Sequence, residues 1–388
     1  MTQSSPTSSP SVNDSFSAEP APSSIAALSS ALEQRYPPRH ELQLGLGDVR
    51  IVLRTNQAPL VALLREYFGA LVLEAPAPDA AAPPPGLVIR AFEAPPPDFG
   101  RALRDWPRDA GKAGQKEQFF DLPDGRVVFK VRTQMQFLLG RSDLVAVGPC
   151  LANANQIINF INSQYISQRL HDGWSLCHAA GVAHAGRGIA IAARAGAGKS
   201  TLALHLLSSG LSFVSNDRLL IQRTGRGAEM AGIPKMPRVN PGTLLNNPDL
   251  VGILPPERQQ ALAAQSREEL WDLEEKYDVM VDAVYGPERS VYRTSLGGLL
   301  ILNWSWKDGA LPTQFQEVRL ERRSDLLELV MKSPGVFHRD AQGHNAPEAS
   351  RPDPTGYLQV AQGLRVWEAK GAPNFELAVS FCRRALEA

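Results

Sequence analysis

The chain has little of what marks secreted, membrane-spanning or nucleic-acid-binding proteins. Three of its 388 residues are cysteine, and no two of them form a CxxC pair, which argues against a disulfide framework and fits a reducing cytoplasm. Lysine plus arginine equals aspartate plus glutamate, 40 against 40, so no net charge draws the chain to nucleic acid or anionic lipid. The strongest apolar run, LGGLLIL, is too short to cross a bilayer. We therefore expect a soluble, cytoplasmic protein that binds neither nucleic acid nor membrane.

The first residues have the composition of a tail without a fold. The stretch MTQSSPTSSPSVNDSFSAEPAPSS has neither the basic start nor the apolar core of a secretory signal. Its serine, proline and alanine content can bury too little apolar surface to order it. We expect residues 1–36 to be a disordered tail. The cysteines Cys150, Cys177 and Cys382 lack the surroundings of a reactive thiol and are expected to serve packing.

Residues 37–150 carry the pattern of a small α+β domain. The stretch ELQLGLGDVRIVLRTN alternates like two strands around a GLGD turn, and QFFDLPDGRVVFKV predicts a hairpin with an Asp-Gly turn. Between them, APLVALLREYFGALVL predicts a helix, with an apolar face that consists of Leu60, Leu63, Leu64 and Phe68. Residues 152–171 predict an amphipathic helix. We expect an α/β fold in which this smaller domain precedes a larger one over residues 151–388.

The densest chemical signal is the run ARAGAGKST, which lies between the apolar strand GIAIAA and the helical stretch STLALHLLSSG. Glycines let backbone N–H groups turn inward around phosphate oxygens, and the start of the following helix adds its dipole. The run matches a phosphate-binding loop (Walker A) with one departure, because Ala193 stands at the leading glycine. We assign nucleotide binding to Ala195, Gly196, Ala197, Gly198, Lys199, Ser200 and Thr201.

This loop predicts ATP and Mg²⁺ as cofactors. Lys199 would reach the β- and γ-phosphates, and the hydroxyl of Ser200 would ligate Mg²⁺. A second strand, LSFVSND, ends at Asp217, 18 residues after Lys199. The carboxyl ends of neighbouring strands in such sheets lie near bound phosphates. Two roles are open to Asp217: it can hold Mg²⁺, or it can take the proton of an acceptor hydroxyl as a general base.

The run from His178 to Leu219 resembles the C-terminal catalytic domain of HPr kinase/phosphorylase and its relatives. The matching pieces are CHAAGVAHAGRG, IAIAA, RAGAGKST, LALHLLSSG and VSNDR, and they look most like the HPr kinase-related subfamily called kinase B. The resemblance implies an HPr kinase-like P-loop domain with a mixed sheet flanked by helices. It also implies a catalytic role for His178, and it puts Asp217 in the place of the family's second aspartate.

Two departures from the family bear on the reaction and on its acceptor. Asn216 stands where the family has its first aspartate, so the resemblance does not imply the family's reverse, phosphate-driven dephosphorylation. The signature loop RGxGIIDV is also missing, so we do not expect HPr itself as the acceptor. The segment GIPKMPRVNPGT lies where that loop would fall. Its prolines make it rigid, and its candidate substrate residues are Lys235, Arg238 and Asn240. They either present cations to a phosphate or an acceptor, or form an ordered connection that faces solvent.

The leading hypothesis is an enzyme, a kinase that moves the γ-phosphoryl group of ATP to a hydroxyl of a protein serine or a small molecule. The alternative is a P-loop ATPase or nucleotide-dependent switch that regulates a partner protein. A binding protein that has lost catalysis is a third reading, against which the intact Lys199, Ser200 and Asp217 argue. Relatives of this type are oligomeric, so the resemblance leaves a homo-oligomer open. The N-terminal domain would then select a protein acceptor or hold subunits together.

Overall fold

The computed structural model describes residues 24–74, 86–108, 114–266, 269–270, 273, 275–305, 311–348 and 350–387. Over these residues the chain is a mixed α/β protein in which two large mixed sheets are flanked by helices. Within the same ranges, no helix combines the length and the apolar character needed to cross a membrane.

The first sheet is built from residues 40–148. Its strands are β1 (His40–Leu46), β2 (Val49–Thr55), β3 (Leu87–Glu93), β4 (Arg104–Asp105), β5 (Glu117–Leu122), β6 (Gly125–Lys130), β7 (Met135–Leu139) and β8 (Leu144–Gly148). They lie in the order β1-β2-β3-β8-β7-β6-β5-β4. The pairs β2–β3 and β3–β8 are parallel, and the remaining pairs are antiparallel.

The second sheet carries the glycine-rich loop. Its strands are β9 (Ser175–Cys177), β10 (Ala179–His184), β11 (Arg187–Ala193), β12 (Ser212–Ser215), β13 (Leu219–Thr224), β14 (Gly227–Gly232), β17 (Arg293–Leu302), β18 (Gln314–Glu317) and β19 (Arg365–Lys370). Strand β17 is the centre of the sheet: its first residues pair with β14, and its later residues pair in parallel with both β11 and β19. Two short strands, β15 (Arg238–Val239) and β16 (Tyr277–Asp278), pair outside the sheet.

Helices cover the faces of both sheets. They are α1 (Ile25–Arg35), α2 (Ala58–Phe68), α3 (Ala154–His171), α4 (Lys199–Ser208), α5 (Pro241–Leu245), α6 (Pro256–Ala263), α7 (Val281–Tyr285), α8 (Ser324–Val330), α9 (Thr355–Ala361) and α10 (Phe375–Glu387). Short 3-10 turns lie at Gly69–Leu71, Val251–Ile253 and Leu320–Arg322. In the second sheet, α4 and α10 pack on one face, while α8 and α9 pack on the other.

One hydrophobic core joins the two sheets. Helices α2 and α3 pack against the first sheet through residues such as Leu64 and Phe160, and the same core includes Leu220 of β13 and Phe337 near the C-terminal end. The core is therefore not confined to residues 37–150, and the domain boundary at residue 150 stays a prediction. The three cysteines are buried and free, as a packing role requires.

The expected disordered tail is wrong for its last part. Helix α1 occupies Ile25–Arg35, within the segment predicted to lack a fold, while residues 1–23 lie outside the described residues. Ile25, Leu28 and Leu32 recur at helical spacing and are almost completely buried in a core with strands of the first sheet. The Ser24 side chain accepts a hydrogen bond from the Ala27 N–H and caps the helix. The composition argument covered residues 1–24, and its extension to residue 36 missed this short apolar stripe.

Two local expectations also need correction. The hairpin of β5 and β6 turns at residues 123–124 and pairs Leu122 with Gly125, so Gly125 belongs to the strand and not to the turn. In α2, Leu60, Leu64 and Phe68 are buried as expected, but Leu63 is 46% exposed. One helix turn separates the buried three, whereas Leu63 lies beside that stripe and faces solvent.

We expect Leu28→Ala to lower the free energy of unfolding by about 2–5 kcal/mol, because it removes a buried side chain and leaves a cavity beneath α1. Urea denaturation of the whole chain measures this. Leu63→Ala, the same change at an exposed helical position, should shift stability by less than about 0.5 kcal/mol. Equal effects of the two substitutions would show that α1 does not pack as described.

Candidate functional site

The glycine-rich loop connects β11 to α4 with the backbone geometry of an anion-binding turn. Gly196 and Gly198 have φ angles of +80° and +89°, in the left-handed region that favours glycine. Ala193 is fully buried as the last residue of β11 and is not among the described residues with positive φ. Alanine at the leading glycine position therefore leaves the turn intact. The N–H groups at the start of α4 have no partner within the helix and suit an anion.

Two aromatic residues hold the loop in place. The indole N–H of Trp304 donates to the carbonyl of Ala197 over 2.8 Å. The ring of Phe375, the first residue of α10, packs so closely on Gly198 that a Cβ there would lie 2.6 Å from the ring. The rings of Trp304 and Phe375 also pack edge to face. The shape of the loop thus depends on residues that follow it by more than a hundred positions.

A cavity of about 820 Å³ opens in front of the loop. Its walls are Arg194, Gly196, Gly198, Lys199, Ser200, Thr201, His205, Arg238, Val239, Asn240, Gly242, Thr243, Asn246, Gln265, Leu270, Lys276 and Phe375. Lysine and arginine side chains line it, and none of its described lining residues is an aspartate or a glutamate. The volume is that of a cofactor-sized ligand, and the charge is that of a polyanion site.

Next to the loop, three basic side chains converge on the carboxylate of Asp217: those of His178, Lys199 and Lys332. The ammonium of Lys199 lies 2.9 Å from Nε2 of His178 and 3.9 Å from Asp217. The same His178 nitrogen lies 3.2 Å from Asp217, and Lys332 approaches the other carboxylate oxygen at 3.9 Å. Lys199 also lines the cavity, so one side chain connects the cavity with the His178–Asp217 pair.

His178 lies at a break between two strands. Three strands cover residues 175–193: β9 pairs with β13, while β10 pairs with β11 and β12. His178 is the residue between β9 and β10, and its backbone N–H donates to the carbonyl of Val330 over 2.8 Å. The change of strand partners at this point turns the imidazole toward Lys199 and Asp217.

The contacts of Asp217 set the charge states of this group. The side chain of Asp217 is half exposed. Partial desolvation acts to raise its pKa, but the hydrogen bond with His178 and the charges of Lys332 and Lys199 outweigh it and hold the pKa below its usual value. The hydrogen bond to Asp217 acts to raise the pKa of His178, yet burial and the two lysines together lower it. At neutral pH Asp217 is therefore ionised and His178 is neutral.

Burial lowers the pKa of Lys199 to about 8, with Lys332 adding to the shift and Asp217 opposing it. Lys199 is only 7% exposed. An ammonium in this position lacks most of its hydration, and the carboxylate of Asp217 that it approaches is shared with His178 and Lys332. An anion in the cavity would therefore stabilise the charged form of Lys199.

Asp217 follows the end of β12 with a φ angle of +68°, which is rare for a residue that is not glycine. Its predecessor Asn216 is buried and accepts a hydrogen bond from the Ser200 hydroxyl over 2.9 Å. The two residues therefore face different groups, Asn216 the loop and Asp217 the lysines. Strain of this kind persists where the surrounding contacts demand one orientation, and it clusters at functional sites.

The predicted substrate residues do not all reach the same place. Arg238 and Asn240 line the cavity, and Arg238 also pairs with Asp278 at 3.0 Å. Lys235 is not among the lining residues; its ammonium donates to the side-chain carbonyl of Asn159 on α3 over 3.1 Å. The segment thus contributes to two different surfaces.

Sequence patterns did not identify several residues of the site. Lys332, just beyond α8, is brought to Asp217 because its N–H donates to the carbonyl of Leu176 on β9 over 3.1 Å. Arg194 and Lys276 add charge to the cavity. Arg194 could have been suspected from its place inside the glycine-rich loop. For Lys332 and Lys276 no local motif exists, since strand pairing and loop packing alone bring them to the site.

We expect binding of a magnesium-bound nucleotide to take up protons near pH 8. Because the pKa of Lys199 is about 8 in the free protein, about half of this side chain is neutral at that pH, and a polyanion in the cavity would protonate it. Calorimetry at pH 8 in Tris and in HEPES, which differ in ionisation enthalpy, measures the uptake, expected to be about half a proton per nucleotide. Above pH 8 the affinity should fall by at most about tenfold per pH unit.

Lys199→Arg is the control, because a guanidinium stays protonated throughout this range. Its proton uptake should be close to zero even if its affinity changes. Equal binding heats in the two buffers for the unchanged protein would contradict the assignment of a lowered pKa to Lys199.

No protein-family model matches this chain, and no curated protein matches it. Among the solved structures that do match is the Hpr(Ser) kinase/phosphatase from Coxiella burnetii, with 12% sequence identity over 54% of this chain and 89% of that chain, and a TM-score of 0.28. Identity and TM-score are too low for this likeness to bear on the activity of the chain.

Proposed function

We propose that the chain is an ATP- and Mg²⁺-dependent phosphotransferase of the HPr kinase-like type, which moves a γ-phosphoryl group to a hydroxyl of a protein serine or a small molecule. One observation carries this proposal: Lys199 belongs both to the cationic cavity and to the group around Asp217. A phosphoryl group held by Lys199 would lie within reach of an ionised carboxylate. Nucleotide binding alone does not require an ionised carboxylate next to Lys199, whereas transfer to a hydroxyl uses one as a base.

The nucleotide side of the site would be built by the loop and its cationic neighbours. Backbone N–H groups of residues 195–201 and the ammonium of Lys199 suit the phosphates. Arg194, Arg238 and Lys276 line the same cavity and would compensate the remaining negative charge. The apolar walls include Phe375 and Leu270, which offer a surface for the base.

Oxygen ligands for Mg²⁺ are available at the start of α4. The Ser200 hydroxyl and the side-chain carbonyl of Asn216 lie 2.9 Å apart, and both are the hard ligands that this ion takes. The described residues contain no cluster of three or more histidine, cysteine, aspartate or glutamate side chains suited to a metal. This fits an ion held by few protein ligands together with phosphates. When bound, Mg²⁺ supplies neutralisation of the charge that develops between the β- and γ-phosphates.

On the acceptor side, Asp217 is the proposed general base. The acceptor hydroxyl would lose its proton to Asp217 while its oxygen bonds the γ-phosphorus and the β–γ bridging oxygen departs with ADP. A carboxylate with a lowered pKa is a weak base, but phosphoryl transfer through a loose transition state needs little proton transfer before the phosphorus–oxygen bond breaks. His178, neutral and hydrogen-bonded to Asp217, would orient the carboxylate toward the acceptor.

We expect Asp217→Asn to reduce phosphoryl transfer by about 10²–10⁴-fold, because it removes the base. Affinity for Mg·ATP should stay within several-fold, since Asp217 does not line the cavity. Asparagine also tolerates the left-handed backbone of this position, so the fold should not change. The measurement is transfer of label from γ-labelled ATP, with and without a lysate of the source cell as a supply of acceptor, beside nucleotide binding on the same preparation.

Lys199→Ala controls for contaminating kinases, and it should abolish both labelled products and free labelled phosphate. Transfer that survives in Asp217→Asn would move the base role to His178, which His178→Gln then tests. Label released only as free phosphate, whatever the lysate, would replace the kinase proposal with the ATPase or switch alternative. If the chain shows no turnover of ATP that requires Lys199, the protein is a nucleotide-binding protein without catalytic activity.

A further inference from the structure

Beside Asp217, cationic side chains that do not line the nucleotide cavity outnumber the carboxylates of the described residues. Lys332 approaches Asp217 at 3.9 Å, and Arg218 follows Asp217 directly in the chain. Lys235 belongs to the same region, because the N–H of Ile233, two residues before it, donates to the hydroxyl of Ser215 at the end of β12 over 3.1 Å. The charges of Arg218 and Asp217 also act on the pKa of Lys235. We call Arg218, Lys235 and Lys332 the basic wall. None of the three lines the nucleotide cavity.

The carboxylates near the basic wall are already engaged. Asp217 is shared by His178, Lys199 and Lys332. Glu117 on β5 forms an ion pair with the buried Lys130 of β6. Lys116, 3.7 Å from the same carboxylate, adds a further positive charge. The region therefore has a surplus of positive charge that the described side chains do not balance.

Two members of the basic wall have no counter-ion among the described residues. Lys235 is partly buried and its ammonium donates to Asn159, and no carboxylate of a described residue lies within ion-pair distance of it. The guanidinium of Arg218, which is partly buried, likewise makes no ion pair with any residue that the structure describes. Burial lowers the pKa of Lys235 to about 8, and Arg218 adds to the shift. Buried cations are normally paired, so this arrangement is costly until an anion arrives.

The position of Lys235 is set by the N-terminal half of the chain. The side chain of Asn162 on α3 donates to the carbonyl of Pro234 over 2.9 Å, and the N–H of Met236 donates to the hydroxyl of Tyr67 on α2 over 3.2 Å. Pro234 and Pro237 limit the backbone on either side of Lys235. The ammonium is thus held in place before any ligand binds, which reduces the entropy cost of binding.

We propose that the acceptor is a hydroxyl compound that also carries a carboxylate or phosphate group, and that this anionic group binds to the basic wall while the hydroxyl meets Asp217. This inference rests on the proposed phosphotransferase function and narrows its substrate class. The anion supplies the counter-charge that Arg218 and Lys235 lack. A neutral alcohol would leave both cations unpaired, so the wall selects against it.

The test uses the whole chain saturated with Mg²⁺ and the imido analogue of ATP, so that the nucleotide cavity is filled. Inorganic phosphate and, in a separate arm, acetate are titrated at constant ionic strength and pH 7, where Lys235 is protonated, with binding followed by calorimetry. We expect at least one of the two anions to bind. Arg218→Gln and Lys235→Gln should each weaken that binding about tenfold or more. Tighter binding of phosphate points to a phosphate-bearing acceptor, and tighter binding of acetate to a carboxylate-bearing one.

Arg226→Gln is the matched control. It removes the same charge from the exposed turn at the opposite end of β13, and it should leave anion binding unchanged. Affinity for the nucleotide analogue is recorded for every variant and should not change in Arg218→Gln or Lys235→Gln. Thermal unfolding should show no loss of stability in Lys235→Gln, because the substitution removes a buried charge without a counter-ion.

The outcomes separate the inference from the proposed function. If the nucleotide analogue binds but neither anion does, or if anion binding is unaffected by both substitutions, the anionic acceptor is wrong and the phosphotransferase proposal stands. If the nucleotide analogue itself does not bind, the proposed function fails, and the acceptor class fails with it.

Discussion

The site depends on one carboxylate that three other side chains compete for. Asp217 contacts His178, Lys199 and Lys332, and each of these comes from a different part of the second sheet. His178 lies where β9 gives way to β10, Lys199 begins α4, and Lys332 follows α8. A change in any of the strand pairings that position them would separate the group. The left-handed backbone at Asp217 is the local strain that accompanies this convergence.

The balance of charge gives the site its chemical character. Cations line the nucleotide cavity without a carboxylate among its described walls, and a second set of cations lies beside Asp217. In a partly desolvated site such repulsion is stored in the unliganded protein and relieved when anions bind. Burial is the main cause of the lowered pKa of Lys199, and the charge of Lys332 adds to it. Asp217, His178 and Lys199 thus lie between two sets of cations, and each set can bind an anion.

The N-terminal half of the chain takes part in building the site. Helices α2 and α3 hold the segment that carries Lys235 through Tyr67, Asn159 and Asn162. The core that packs these helices on the first sheet also includes residues of the second sheet. The two sheets are therefore coupled mechanically, and the position of the basic wall relative to Asp217 depends on that shared core.

Local sequence patterns were sufficient for several elements and for the loop. Periodicity predicted α2 and α3, and the order of strand, glycines, lysine and helix predicted β11, the turn and α4, because each depends on contacts within a few residues. The composition of residues 1–24 gave no sign of the apolar stripe of α1, which follows them and is decided by burial against the first sheet. The sequence also singled out His178, Lys199 and Asp217. It could not indicate Lys332, or that Lys235 and Arg238 serve different surfaces, because those positions follow from long-range pairing and packing. Local chemistry determined which residues can bind phosphate, and the tertiary structure decided which charges surround them.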